Sequence, residues 1–149
     1  MYDTILVPLD GSNRAEEILP HVEEIALRCE AKVVFFRVVE PIPYVSGPEG
    51  TPVTLREQEL EGRRKEAEDY LKARAGEFRE IGVEAKTLVF QGPVVEAISN
   101  AAEREDADLI AIASHGRSGL SQCFFGSVAA GVLHRVERPL LVVRSLSES

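Results

Sequence analysis

Residues 108–129 read DLIAIASHGRSGLSQCFFGSVA, and the reading of this stretch decides the fold. It opens with an unbroken apolar run, Leu109-Ile110-Ala111-Ile112-Ala113, without the polar alternation of a half-exposed strand. Such a run reads as a strand buried on both faces, the mark of a parallel sheet covered by helices. A polar segment bearing Gly116, Gly119 and Gly126 follows, and Ser127 then leads into Val128, Val132, Leu133 and Val136 at helical spacing. Strand, glycine segment, helix is an arrangement that takes up phosphate. Glycine lets the backbone approach an anion closely, and a helix N-terminus supplies unpaired N–H groups and a favourable dipole. Ser127 stands where an N-cap is expected, with a hydroxyl able to reach a phosphate oxygen. The same segment can equally be a loop that only turns the chain. It is not a P-loop, because Gly-Lys-Ser/Thr occurs nowhere in the chain, and the G-x-G-x-x-G dinucleotide pattern is missing as well.

Working outward, the other elements fall into alternation. Thr4-Ile5-Leu6-Val7-Pro8-Leu9 predicts a central first strand whose ladder stops at Pro8, and Asp10-Gly11-Ser12 turns the chain. Asp10 lies just past the carboxyl end of that strand, where open α/β sheets bind ligands; it can also simply satisfy the donors of the turn. Residues 13–30 carry one apolar stripe through Ala15, Ile18, Leu19, Val22, Ile25, Ala26 and Cys29 and predict a helix kinked, but not ended, at Pro20. His21 falls off the stripe and reads as solvated. Residues 32–39 predict the second strand. Residues 41–52 hold four prolines and two glycines and predict a long loop, either a binding loop or lid or a connector.

Residues 54–80 predict a charged helix with a narrow apolar face of Leu60, Ala67, Leu71, Ala75 and Phe78, weakened at Gly62. Residues 83–90 predict the third strand, and Gly92-Pro93 opens a helix with proline at its first position. After the stretch 108–129, Arg138-Pro139 breaks the chain and Leu140-Leu141-Val142-Val143 predicts a fifth strand. Five strands alternating with four helices predict a doubly wound, five-stranded parallel α/β sheet with helices on both faces, strand order 3-2-1-4-5. Residues 1–149 are expected to form a single domain of this kind. The loops after strands 1 and 4, carrying Asp10 and the glycine segment, then converge on one crevice.

Composition narrows the function. With 25 Asp/Glu against 17 Lys/Arg the formal net charge is −8, which argues against unspecific nucleic-acid binding and against attraction to anionic membranes. An anionic ligand must be held by local donors. No N-terminal signal pattern or membrane-length apolar run appears, so a cytoplasmic location is expected. Cys29 and Cys123 fit neither a metal nor a redox motif and are expected to pack as small apolar residues.

Together ILVPLDGS, FFRVVEP, ASHGRSGLSQCFFGSVA and RPLLVV resemble the universal stress protein family over nearly the whole chain. Its nucleotide-binding branch has Gly, two residues, Gly, nine residues, then Gly-Ser or Gly-Thr. Here nine residues separate Gly116 from Gly126 and Ser127 follows, while the first motif position is Ala113. The resemblance implies an ATP site, open in principle to ADP or AMP. It places Pro8, Leu9 and Asp10 near adenine and ribose, Val38 and Ile112 around the base, and Gly116, Gly126, Ser127, Val128 and Ala129 at the phosphates. Arg117 either adds a charge-assisted contact or stands solvated. His115 is expected to pack in the loop, not to act in catalysis. Mg²⁺ or Mn²⁺ would be held through the phosphates, with no protein metal site. A homodimer through residues 140–144 is also implied. Three functions compete: an ATP-binding regulatory module of the stress response, a slow ATPase, and a dimeric interaction protein of the same fold that binds no nucleotide. Without paired catalytic carboxylates, a nucleophile beside a base or a P-loop lysine, enzymatic activity ranks below binding.

Overall fold

The computed structural model of the chain describes residues 1–40, 53–115 and 126–145. Its elements are β1 (Thr4–Pro8), a 3₁₀ turn (Ala15–Ile18), α1 (Leu19–Cys29), β2 (Lys32–Val39), α2 (Val53–Glu80), β3 (Ala85–Gln91), α3 (Val94–Arg104), β4 (Leu109–His115), α4 (Ser127–Arg135) and β5 (Leu140–Ser145). The five strands form one sheet in the order β3-β2-β1-β4-β5, and every neighbouring pair is parallel. The apolar runs have the meaning the sequence predicts: successive side chains go to opposite faces, and both faces are covered.

On one face Ile5, Val7, Val33, Phe35, Leu109 and Ala111 pack against α1 and α2 through Val22, Ala26, Leu71, Ala75 and Phe78. On the other, Leu6, Val34, Phe36, Ile110 and Ile112 meet α3 and α4 through Ala97, Ile98, Ala101, Ala129 and Val132. Phe35 and Phe36, adjacent in sequence, serve opposite faces. Phe35 meets Phe78 edge-on at 4.9 Å between ring centres, and Phe36 meets Phe90 at 5.2 Å. Full burial of such a side chain stabilises by about 1.5–3 kcal/mol. At the amino edge of the sheet, the Asp108 carboxylate accepts the N–H of Asp3 at 2.8 Å and of Thr4 at 3.0 Å, which ties the start of β1 to β4.

Several element ends differ from the expectation. Pro20 does not kink a long helix. The chain makes a 3₁₀ turn first, and α1 begins at Leu19 with Pro20 in its first turn, where a missing N–H removes no bond. Pro93 occupies the N-cap of α3 with extended angles, one place earlier than expected. Likewise Gly126, not Ser127, is the N-cap of α4, and Ser127 is its first helical residue. Leu133 on α4 is 59% exposed despite its helical spacing, because α4 needs only a narrow stripe, Ala129 and Val132, to cover the sheet. β3 starts at Ala85 instead of Val83: the Val83 N–H bonds to the Phe78 carbonyl at 3.0 Å, closing the end of α2 before the strand begins. The expected loop over 41–52, with its possible role as a lid, and Cys123 lie outside the described residues. Cys29 is half-buried against the core and unpaired, and His21 is exposed.

Candidate functional site

The site follows from unequal strand lengths. β1 stops at Pro8, while β2 runs on to Val39 and β4 to His115. Pro8 is level with Phe36 on β2, and Leu6 is level with Ile110 on β4, which brings Ile112 level with Pro8. Beyond Pro8 the sheet therefore has a notch, walled by β2 on one side and β4 on the other. The Leu9 N–H still reaches the Phe36 carbonyl at 2.8 Å, and then the chain leaves the sheet.

A cleft of about 670 Å³, counting its open mouth, fills this notch. Of the residues expected to bind a ligand, Pro8, Leu9, Asp10, Val38, Ile112, Ala113, Gly126, Val128 and Ala129 all line it. Ser127 is exposed at the lip and does not. Gly116 and Arg117 lie outside the described residues. His115 closes β4, its backbone level with Ser145.

Asp10 does serve its own turn. Its Oδ1 accepts the Ser12 N–H at 2.8 Å and the Ser12 hydroxyl at 2.5 Å, and Ser12 Oγ in turn accepts the Ala15 N–H at 3.2 Å. The carboxylate is exposed and also lines the cleft, so the two readings of Asp10 are compatible. Gly11 is required between them. Its φ is +87°, and a Cβ there would stand 3.2 Å from the Arg37 guanidinium. The 3₁₀ turn that follows is pinned from α2. Glu16 accepts a hydrogen bond from the Tyr70 hydroxyl and faces Arg74 at 3.2 Å. Burial, then the bond to Glu16, raises the Tyr70 phenol above its ordinary range. Ser145, at the end of β5, donates to Glu17 of the same turn.

On the other wall, Gly126 holds φ 73° and ψ 151°, a region open essentially only to glycine. Its carbonyl receives the Ala130 N–H at 3.1 Å, which begins α4 and leaves the N–H groups of Ser127, Val128 and Ala129 without helical partners. Ala113 is not among the described non-glycine residues with positive φ, so the methyl group at the first motif position costs the backbone nothing.

The cleft is thus polar in a directed way. Its floor is apolar, with Phe36, Val38, Ile98 and Ile112. Asp10 and Glu40 bring carboxylates to the β1–β2 side, while α4 points its positive end at the β4 side. An anionic ligand places its charge toward α4. Sequence reasoning missed Phe36, Glu40, Ile98 and Ser114. Ser114 was signalled by being the first polar residue of an apolar strand, in step with Ile110 and Ile112. Among the described residues, no group of three or more His, Cys, Asp or Glu could hold a metal ion, and no helix is long and apolar enough to cross a membrane.

A model of the universal stress protein family matches residues 1–144. The chain belongs to this family. It is 33% identical over 144 residues to universal stress protein MJ0531 of Methanocaldococcus jannaschii, across 97% of this chain and 83% of that one. The solved structure of MJ0577 from the same organism is similar at a TM-score of 0.78 and 30% identity, covering 100% of this chain and 99% of that one. Two solved universal stress proteins in complex with cyclic AMP and, from Archaeoglobus fulgidus, with dAMP share the fold, each at 22% identity, with TM-scores of 0.63 and 0.61. They cover 97% and 95% of this universal stress protein, and it covers 98% and 97% of them.

Proposed function

We propose that this universal stress protein binds an adenine nucleotide, with ATP as its ligand, in the notch above β1. The observation that carries the reading is the directed polarity of the cleft: an apolar slot for a base, a carboxylate at the height of a ribose, and a helix N-terminus for phosphate. Pro8, Leu9 and Asp10 face base and ribose. Val38, Ile112 and Ala113 line the base slot, and Gly126, Ser127, Val128 and Ala129 take the phosphates, with Gly116 and Arg117 of the glycine segment as further contacts. That two proteins of this fold are complexes of adenine nucleotides agrees with the choice of base. Mg²⁺ or Mn²⁺ joins through the phosphates.

The protein then acts as a regulatory module of the stress response, with ATP hydrolysis slower than about 1 s⁻¹, the low end of ordinary enzymes. It works as a homodimer through the edge strand β5, residues 140–144. The Ile110 N–H bonds to the Pro139 carbonyl at 3.0 Å. In a parallel ladder this turns the backbone groups of Leu141 and Val143 toward β4 and leaves those of Leu140, Val142 and Arg144 facing outward. An edge of that kind invites pairing with its own copy.

Calorimetric titration with ATP, ADP and AMP, with and without Mg²⁺, tests the reading. Binding in the micromolar range is expected. No heat for any of the three at about 100 µM protein, well above such a dissociation constant, would refute it.

A further inference from the structure

We infer that the Ser114 hydroxyl is a ligand-binding group which, with the N–H groups at the start of α4, holds the phosphate attached directly to the nucleoside. The inference rests on the nucleotide reading and deepens it. Ser114 is 3% exposed, and its Oγ has no hydrogen-bond partner among the described residues. A buried hydroxyl without a partner loses its hydration and gains nothing in exchange, so native proteins rarely keep one unless something else binds there. Ser114 lines the cleft, and the missing partner belongs in that space.

The position of the hydroxyl indicates which part of a ligand it meets. Ser114 shares a face of β4 with Ile110 and Ile112, the face covered by α3 and α4. Pro8 is level with Ile112, so Ser114 stands two residues beyond the end of β1, and Val38 stands two residues beyond it on β2. The two face each other across the notch, about 10 Å apart at two strand spacings. Val38 and the floor below it are apolar and suit a base. Ser114 is on the opposite wall, the wall that also carries Gly126 and the nine-residue helix α4. A hydroxyl there donates to an oxyanion already favoured by the helix N-terminus, while Asp10 and Glu40 keep negative charge away from the other wall. Ser114 is buried inside the notch and Ser127 is exposed at its lip. The inner hydroxyl therefore meets the first phosphate, and the outer one is left for any that follow. Mono-, di- and triphosphates share the Ser114 contact; adenosine lacks it.

Wild type and Ser114→Ala are compared by calorimetry with adenosine, AMP and ATP, and by thermal unfolding with and without inorganic phosphate. The variant is expected to bind AMP and ATP each at least about tenfold more weakly, about 1.4 kcal/mol, with adenosine unchanged. Without ligand it should melt no lower than wild type, and higher if the orphan hydroxyl is fully dehydrated, since removing such a group relieves its desolvation. Equal AMP affinity in the two proteins overturns the inference and leaves the nucleotide reading intact. A parallel loss for adenosine moves the contact to base or ribose and overturns it too. A lower melting temperature of the free variant assigns Ser114 a structural role instead. Should wild type bind no nucleoside or nucleotide, the nucleotide reading falls. Inorganic phosphate then decides the remainder: it stabilises wild type but not the variant if the oxyanion site exists, and both alike if it does not.

Discussion

Replacing Gly126 separates backbone geometry from bulk at the phosphate wall. At φ 73° and ψ 151° a residue with a Cβ is strained by about 1–3 kcal/mol. For a chain of this size each kcal/mol lowers the melting temperature by about 2–4 °C, and total stability is about 5–15 kcal/mol, so the variants fold. The strain is relieved by rotating the Gly126–Ser127 peptide, which swings the first N–H groups of α4 away from the notch. Loss of one hydrogen bond to a charged group is worth about 1.5–3 kcal/mol, at least tenfold in affinity for AMP or ATP. Gly126→Ala and Gly126→Val share the strained angle, and only valine adds a branched side chain, so similar losses identify the angle as the cause. Gly82→Ala is the control. Gly82 has φ +92° with nothing within 4 Å of an added Cβ, and it follows α2 at the amino edge of the sheet, far from the cleft. It should lower the melting temperature by a comparable amount and leave affinity alone. Calorimetry and thermal unfolding on the three variants decide the matter. Unchanged affinity in both Gly126 variants would reduce that glycine to a structural role.

Gly131→Ala puts a methyl 2.7 Å from Val95 Cγ2, where α4 crosses α3, and should destabilise by about 1–3 kcal/mol; adding Val95→Ala should recover most of the loss in urea unfolding. Dimerisation through β5 predicts that Val142→Pro, which removes an outward N–H, dissociates the dimer in light scattering at about 50 µM, a concentration at which a micromolar dimer is mostly associated. A monomeric wild type there would refute the assembly, whereas Leu141→Pro should instead disturb the pairing with β4. Because the folded Tyr70 phenol is held above its ordinary value, its contribution is complete below about pH 10, where the unfolded phenol stays protonated, and is lost as pH rises further. Tyr70→Phe should therefore flatten the alkaline decline in the urea midpoint; an unchanged slope would show that Tyr70 does not contribute to it.

The sheet was legible because parallel strands buried on both faces leave apolar runs too short for a helix and bounded by turn residues, and the order of elements then left few topologies. Ala113 shows how far the sequence alone reaches at the site. Its type was plain but its φ was not, and φ decides whether a methyl matters. Gly126 and Ser127 make the same point: both are good N-cap residues, and only the positive φ of Gly126 settles which one caps. Pro20 misled because apolar spacing continues across a change from a 3₁₀ turn to an α-helix, which periodicity cannot resolve. Ser114 escaped because its one signal, a first polar residue in step with Ile110 and Ile112, marks the end of a strand as readily as a site. Its meaning depends on burial without a partner, which exists only once β4, α4 and the notch are assembled.

Topology explains why the cleft opens where it does. β1 is central and short, so the chain leaves the sheet between two longer strands and opens a notch that no helix among the described residues fills. Around it stand a hydroxyl at Ser114 without a partner among the described residues, a glycine-only backbone at Gly126, the first N–H groups of α4, and a carboxylate at Asp10. Of these, the buried hydroxyl without a partner lowers the stability of the empty protein, by about 1–3 kcal/mol. At the opposite edge of the sheet the Asp108 carboxylate takes two backbone N–H groups, and the Val83 N–H closes α2. In a protein of net charge −8 the open donors of α4 and Ser114 are local attractors for an anion that the overall field would repel. Raising ionic strength should therefore tighten, or at least not weaken, the approach of a nucleotide to this surface, because salt screens the long-range repulsion more than the short buried contacts. Calorimetry with AMP from about 0.05 to 0.5 M salt checks this. A steep loss of affinity with salt would mean that exposed cations, not the notch, hold the phosphate.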